Sequence, residues 1–550
     1  MIGSFARRGA LTAAAVIALT AAGLPGGDTT PAGIGDRLYP ELGNPGYDVH
    51  DYDISFTYHG NNRPLSAVTR IDALATDTLE SFHLDFARGT VSSVEVNDQP
   101  APFTTEREEL VVTPVVPVPV GGRMQIIVVH TSDPTTKDDS GWIPTKDGLV
   151  MANQASAAHT VFPCNDHPSD KARFAFHVTA PKDLTVVANG LPEPSLTRGA
   201  TTTWTYRTAH PMATELAQVS IGHSAVLHRT GPGGLPLRDV LDAADPERAV
   251  LEKRLALTAD QIAWMEQQVG PFPFETYGIL SANTITGFEL ETQTLSLFER
   301  RVLLAREADA TPVMVHELAH QWFGDSVSPA TWSDLWLNEG HATWYQWRYG
   351  AEKYHEYTLD KLARAAYELD GELRRAGGPP AHPLVPGNPG AQAKLSIFRG
   401  NVYFSGALAL YALRQEIGAE VFQELERAWV TRHRDGVAST ADFIELASDT
   451  AGRDLGPFLR AWLYGPTTPP MPGHPDWKPA PARPGPQAGP HGQSHGHSHG
   501  QSHGHSHGQS HGHSHGQSHG HSHGQSHGNE QAAPHSAHRS GPAPGPAKVA

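Results

Sequence analysis

His316 and His320 stand four residues apart in the run TPVMVHELAHQWFGD, and Glu317 directly follows the first of them. On a helix this spacing puts both imidazoles on one face, where they can share a metal ion. Glu317 is displaced around the helix, so its carboxylate can reach a water beside the ion and take its proton without being a ligand. Two histidines leave a catalytic zinc site one protein ligand short. Glu339, in WSDLWLNEGHATWYQW, is the candidate for the third, because eighteen residues separate it from His320, enough for a loop and the first turns of a second helix starting near Ser333. A His-His-Glu set leaves one coordination position open, as hydrolysis requires. The competing reading is a buried helix whose histidines are satisfied by hydrogen bonds alone.

These residues need two helices and a scaffold. Thr311 reads as an N-cap, Pro312 as the first helical residue and Gly324 as the residue just past the end. Upstream, Tyr52, Ile54, Phe56 and Tyr58 alternate with polar residues, as do Phe82, Leu84 and Phe86, and Phe174, Phe176 and Val178. That period of two predicts half-buried antiparallel strands from about residue 47 to 230. Helical spacing takes over in 245–268, 352–374, 402–433 and 440–463. Strands followed by helices predict an α+β multidomain chain, with a β-domain over 47–232 and a mostly helical catalytic domain over 233–470. A single core is not expected at 550 residues.

The ends differ from the body. Arg7 and Arg8 precede an Ala-rich apolar run, Ala10 to Ala22, and then small residues, the layout of a secretory signal peptide over 1–27. The expected protein is therefore exported, by the general or the twin-arginine route, and 28–46 links the leader to the first domain. Nothing in the body approaches a membrane-spanning run. A formal net charge of -17, with the signs interspersed, argues against nucleic acid as a partner. Cys164 is the only cysteine, so no intrachain disulfide forms, and its apolar setting suits a buried inert thiol. From 471 the chain turns to Pro, Gly, Ser and His, and QSHGHSHG occurs four times between Gln493 and Gly524. This composition has little apolar surface to bury and predicts a disordered tail.

The segment HELAHQWFGD, followed by the Glu of WLNEG, resembles the aminopeptidase N family of zinc peptidases. The resemblance runs from about 47 to 465 and includes FPCNDHPSDKARFAF, Phe162 to Phe176. It implies a saddle-like β-domain followed by a thermolysin-like catalytic domain, one catalytic zinc ion, and peptides with a free amino end as substrates. FELET, Phe288 to Thr292, aligns with the family's GAMEN loop, which makes Glu291 the implied anchor for the substrate's ammonium group, with Glu289 as its rival. VYFSGALALYALR implies Tyr403 as the donor to the tetrahedral oxyanion. Gln154 falls where many relatives carry a second amine-binding Glu, whereas an epoxide-hydrolysing member has Gln. The family's large C-terminal helical domain has no counterpart in the expected layout.

Three readings follow. The first is an exported zinc aminopeptidase in which Glu317 activates water. The second keeps the zinc centre for internal peptide bonds or an epoxide. The third, from another class, is a metal-buffering protein, because 16 of the 33 histidines lie between His491 and His538 and could bind extra Zn, Ni or Cu.

Overall fold

The alternating run Tyr52, Ile54 and Phe56 lies in the strand Tyr47–Thr57, where all three side chains are buried. A computed structural model describes residues 33–135, 140–282, 284–385 and 397–480. The expected signal peptide over 1–27 and the QSHGHSHG repeats lie outside the described residues.

Tyr47–Thr57 is central in a nine-stranded sheet, between Leu65–Ala75 and Arg173–Pro181. Its pairing with Leu65–Ala75 is antiparallel, as expected, and Arg123–Ser132 continues the pattern on the far side. The pairing with Arg173–Pro181 is parallel, in the register Ile54↔Phe176 and Phe56↔Val178. This departs from the all-antiparallel expectation. Parallel neighbours need a long crossover, and the chain between the two strands supplies it; alternation within a strand carries no information about its partner's direction.

A four-stranded sheet follows, in the order Thr185–Ala188, Val219–Gly222, Leu149–Ala152, Gly141–Pro144. A second one joins Ser224–Thr230, Pro236–Asp242, Ile279–Ser281 and Ser296–Phe298. Its first hairpin lies across residue 233.

The helices come next: α1 (Arg248–Leu255), α2 (Thr258–Val269), α3 (Arg300–Leu304), α4 (Glu307–Ala319), α5 (Trp336–Tyr354) and α6 (Leu359–Gly377). A π-helical turn, Asn401–Ser405, leads into α7 (Gly406–Ile417), followed by α8 (Ala419–Arg432), α9 (Thr440–Ala451) and α10 (Gly456–Tyr464). Two expected helices are thus pairs. Gly418 at φ +84° separates α7 from α8, and Gly452 at φ +64° ends α9, both conformations that glycine adopts without strain. The architecture is α+β, a β-sheet domain followed by a mostly helical domain. Among the described residues, the buried apolar side chains form two clusters, one dominated by strand residues and one by helix residues such as Trp322, Trp336, Tyr345 and Trp429. Among the described residues, no helix is long and apolar enough to cross a membrane.

The expected start of the histidine helix is corrected. α4 begins at Glu307, ahead of Thr311, and Pro312 lies inside it. Thr311 does not cap: its hydroxyl donates to the Glu307 carbonyl within the helix. In the second turn Pro312 forfeits the bond to the Ala308 carbonyl and crowds that group, while its ring packs where Gly350 of α5 leaves room. At the other end α4 stops at Ala319, so Gly324 belongs to the loop beyond it rather than to a cap.

Candidate active site

The two ligand helices cross closely. His316 sits in the last turn of α4, His320 caps it, and Glu339 lies in the first turn of α5. Glu339 Oε2 is 3.2 Å from His316 Nε2 and 3.4 Å from His320 Nε2. The other nitrogen of each ring is already engaged. His316 Nδ1 donates to Gln346 Oε1 at 3.0 Å, and His320 Nδ1 donates to the Phe323 carbonyl at 3.1 Å. These bonds orient both rings so that their Nε2 atoms face the Glu339 carboxylate. Burial opposes the charge on Glu339, but His320 and His316 pull its carboxyl down to about 2. The three ligand atoms lie within 4.8 Å of one another and all three residues are buried. A tetrahedral zinc ion needs two imidazole nitrogens and a carboxylate oxygen so placed, and the set fits it.

Glu317 is buried beside the ligands. Burial, reinforced by Glu291 and Glu289 against the pull of His320, holds its carboxyl well above the usual range. Tyr403 comes from the π-helical turn ahead of α7. Its ring stacks on His316, with centroids 5.9 Å apart and planes 20° from parallel. Burial and the neighbouring Glu339 push its hydroxyl well above the ordinary phenol range, so it remains a donor. Short π-helical turns project a side chain that a regular helix would aim elsewhere.

A second acidic group adjoins this one. Glu291, Glu317 and His320 offer oxygen and nitrogen atoms within 4.8 Å of one another. Glu289 takes no part in that group; it stands nearer Glu299 and Arg301, and burial raises its carboxyl to about 7. The FELET loop is tied to the histidine segment through Gln321, whose Nε2 donates to the Glu291 carbonyl at 3.0 Å and whose Oε1 accepts from Thr294 N at 2.9 Å. From the β-domain, Gln154 Nε2 donates to Glu291 Oε1 at 2.5 Å. Lys171, in the FPCNDHPSDKARFAF segment, reaches across as well, donating to the carbonyls of Asp325, Ser326 and Gly436. Cys164 is buried, and burial pushes its thiol up.

All seven candidate side chains therefore gather at one site where the β-domain meets the helices. Three neighbours escaped the reading of the sequence. Gln346 stands two turns after Glu339 on the same face of α5, a spacing that could have marked it. Gln321 follows His320 directly. Glu215, buried near Gln154 and Glu291, carries no local signal at all.

Comparison with known proteins matches this arrangement. Residues 254–462 match the peptidase family M1 domain, and 145–216 match the peptidase M1 N-terminal domain. Aminopeptidase N of Streptomyces lividans is 28% identical over 344 residues, covering 58% of this chain and 38% of that protein. Tricorn protease-interacting factor F2 of Thermoplasma acidophilum is 25% identical over 449 residues, covering 78% and 54%. The chain thus spans only part of the length of these curated relatives. It covers all of a smaller one: the crystal structure of M1 zinc metallopeptidase from Deinococcus radiodurans superposes with a TM-score of 0.70 at 28% identity, over 82% of this chain and 100% of that one. A Glu-to-Ala mutant of that protein, bound to a Tyr-Ser-Ala substrate, gives 0.69 at 27% identity, over 80% and 99%. The zinc ligand geometry, the strand-then-helix architecture and these matches place the chain in the M1 family of zinc metallopeptidases, in a two-domain form like the Deinococcus structures.

Proposed function

We propose that the chain is a zinc-dependent aminopeptidase that removes residues from the amino end of peptides. The observation that carries this reading is the placement of Glu291 against both Glu317 and His320. A carboxylate one residue's length from the reaction centre can hold a terminal ammonium while the first peptide bond lies at the metal.

A zinc ion held by His316, His320 and Glu339 would supply Lewis-acid polarisation of the scissile carbonyl and of water. The protein's own residues do the rest. The Glu317 carboxylate takes a proton from the attacking water and returns it to the departing amine. The Tyr403 hydroxyl donates to the oxygen on which negative charge develops. Glu291 fixes the substrate's amino end, so the bond presented for attack is the first one. Gln346 and the Phe323 carbonyl hold the two imidazoles in place throughout.

Hydrolysis of a free-amine peptide and its N-acetylated twin, each with and without a chelator, tests this. Cleavage of the free peptide alone, abolished by the chelator, is expected. Equal cleavage of both peptides would favour the endopeptidase alternative. Export remains part of the proposal, supported by the basic, apolar and small-residue order of 1–27; amino-terminal sequencing of protein recovered from the medium checks it.

A further inference from the structure

Glu215 is 2% exposed, and neither of its carboxylate oxygens accepts a hydrogen bond of normal geometry. It sits in the short turn Thr214–Leu216, which is pinned from below: Thr214 Oγ1 donates to Asp166 Oδ1 at 2.8 Å. Burial is the largest influence on its acidity, followed by Glu291, and the Gln154 amide lies close enough to work in the opposite sense. Gln154 in turn donates to Glu291 at 2.5 Å. One neutral amide thus adjoins two buried carboxyl groups, bonded to Glu291 and near Glu215. Among the described residues, no lysine or arginine forms an ion pair with either of them.

Two carboxyl groups held this close in a dry site are costly unless a cation joins them or a proton stays on one. Among the described residues, none supplies a dedicated cation. Of the nearby positive candidates, His320 has its Nε2 aimed at Glu339 and the metal position, and Lys171 spends its ammonium on backbone carbonyls. A ligand that brings three N–H donors and one positive charge meets both needs.

We propose that Glu215 is a substrate-binding residue that, with Glu291 and Gln154, takes the terminal ammonium group of the peptide. The inference rests on the aminopeptidase reading and deepens it. Gln154 contributes an amide bridge and no charge, so the second negative charge of the anchor comes from Glu215. The charge is then exchangeable between two adjoining positions: a carboxylate at either 154 or 215, facing Glu291, serves the same ammonium.

The test uses the full chain with zinc, L-leucinamide and N-acetyl-L-leucinamide as probes, and an unblocked leucine arylamide as substrate. In the native protein, L-leucinamide should raise the unfolding temperature and N-acetyl-L-leucinamide should not. Glu215→Gln, which keeps shape and removes charge, should weaken L-leucinamide binding and raise KM by about 10- to 100-fold, the range for a charge-assisted contact, with a smaller change in kcat. The double variant Gln154→Glu with Glu215→Gln should recover most of that loss. A merely structural Glu215 would not be rescued from position 154. Native KM and native probe binding in Glu215→Gln would overturn the proposal, as would a loss that the charge exchange leaves untouched. A native protein that treats the two leucinamides alike would instead overturn the aminopeptidase reading on which the proposal stands.

Discussion

Gln154 donates its amide hydrogen to the Glu291 carboxylate at 2.5 Å across 137 residues of sequence. Gln154 follows the strand Leu149–Ala152 of the β-domain, whereas Glu291 lies just ahead of the strand Ser296–Phe298 and is held to the histidine segment by Gln321. This contact therefore forms only when the β-domain and the helices pack together. In the proposed reading, neither part alone carries a complete amine anchor.

Glu291→Ala should remove the preference for a free amino end more than it removes hydrolysis itself. We expect kcat/KM on a free-amine peptide to fall by roughly 100-fold, the upper range for a lost charge-assisted contact. The same variant should act on the N-acetylated peptide as the native protein does. Steady-state kinetics on the matched pair measures the difference, and equal losses on both peptides would place Glu291 outside the anchor.

Glu317→Gln keeps the shape of the side chain and leaves the three ligands untouched. Loss of a general base costs about 100- to 10,000-fold in kcat, and KM should change little. Metal analysis of the purified variant should show one zinc per chain, as in the native protein. A variant that retained both zinc and full activity would remove Glu317 from the mechanism.

Gln346→Ala tests the support beneath His316. Without the acceptor at 3.0 Å, the imidazole loses the bond that fixes its tautomer. Loss of such a partner typically weakens metal binding by about 10- to 100-fold. Competition with a chromophoric chelator reads zinc affinity directly, and activity should return when zinc is added in excess.

The ligand set was legible because helical geometry turns a spacing of four into a shared face, and because a single loop and turn carry the chain from His320 to Glu339. The strand alternation at Tyr52, Ile54 and Phe56 was legible for the same kind of reason. What escaped depended on tertiary contact. Pro312 reads as a helix start by its own preference, yet α4 begins earlier, since the lost backbone bond and the crowded Ala308 carbonyl are outweighed by the burial of Met314, Val315 and Leu318. The parallel pairing of Tyr47–Thr57 with Arg173–Pro181 leaves no mark in either strand. Glu215 follows Thr214 in an ordinary-looking turn, and only the folded chain brings it to Gln154 and Glu291.

A pH effect on stability follows from His159, which is buried in the β-domain. Burial lowers its affinity for a proton, but its 2.6 Å bond to Asp166 and the nearby Glu108 more than offset this and raise it to about 9 from 6.5. The folded state therefore binds a proton that the unfolded state releases between those two values. The contribution is fully present below about pH 6.5 and is lost as pH rises toward about 9. Urea unfolding at pH 6 and at pH 9 should show the native protein losing stability over that interval. His159→Gln should be less stable at pH 6 and should lose less on going to pH 9.

Gly340 and Gly406 let α5 and α7 approach closely beside Glu339 and Tyr403. Gly340 directly follows the ligand Glu339 on α5, and Gly406 opens α7 three residues after Tyr403. A Cβ added at Gly340 would stand 3.0 Å from the Cα and carbonyl carbon of Gly406, both of them backbone atoms that no rotamer change can move. Gly340→Ala must therefore push α5 and α7 apart, at a cost of about 1–3 kcal/mol for overpacking, even though alanine is the better helix former. The displacement should separate Tyr403 from the metal site, so kcat should fall while KM for a free-amine peptide, set by Glu291, changes less. Gly371→Ala on α6 is the matched control, because there the nearest atom to an added Cβ is the Thr468 hydroxyl oxygen at 3.9 Å. It should keep native kcat and gain up to about 1 kcal/mol from helix propensity. Urea unfolding and steady-state kinetics on the two variants separate the effects, and a Gly340→Ala protein as stable and as active as Gly371→Ala would show that the close crossing does not position the tyrosine.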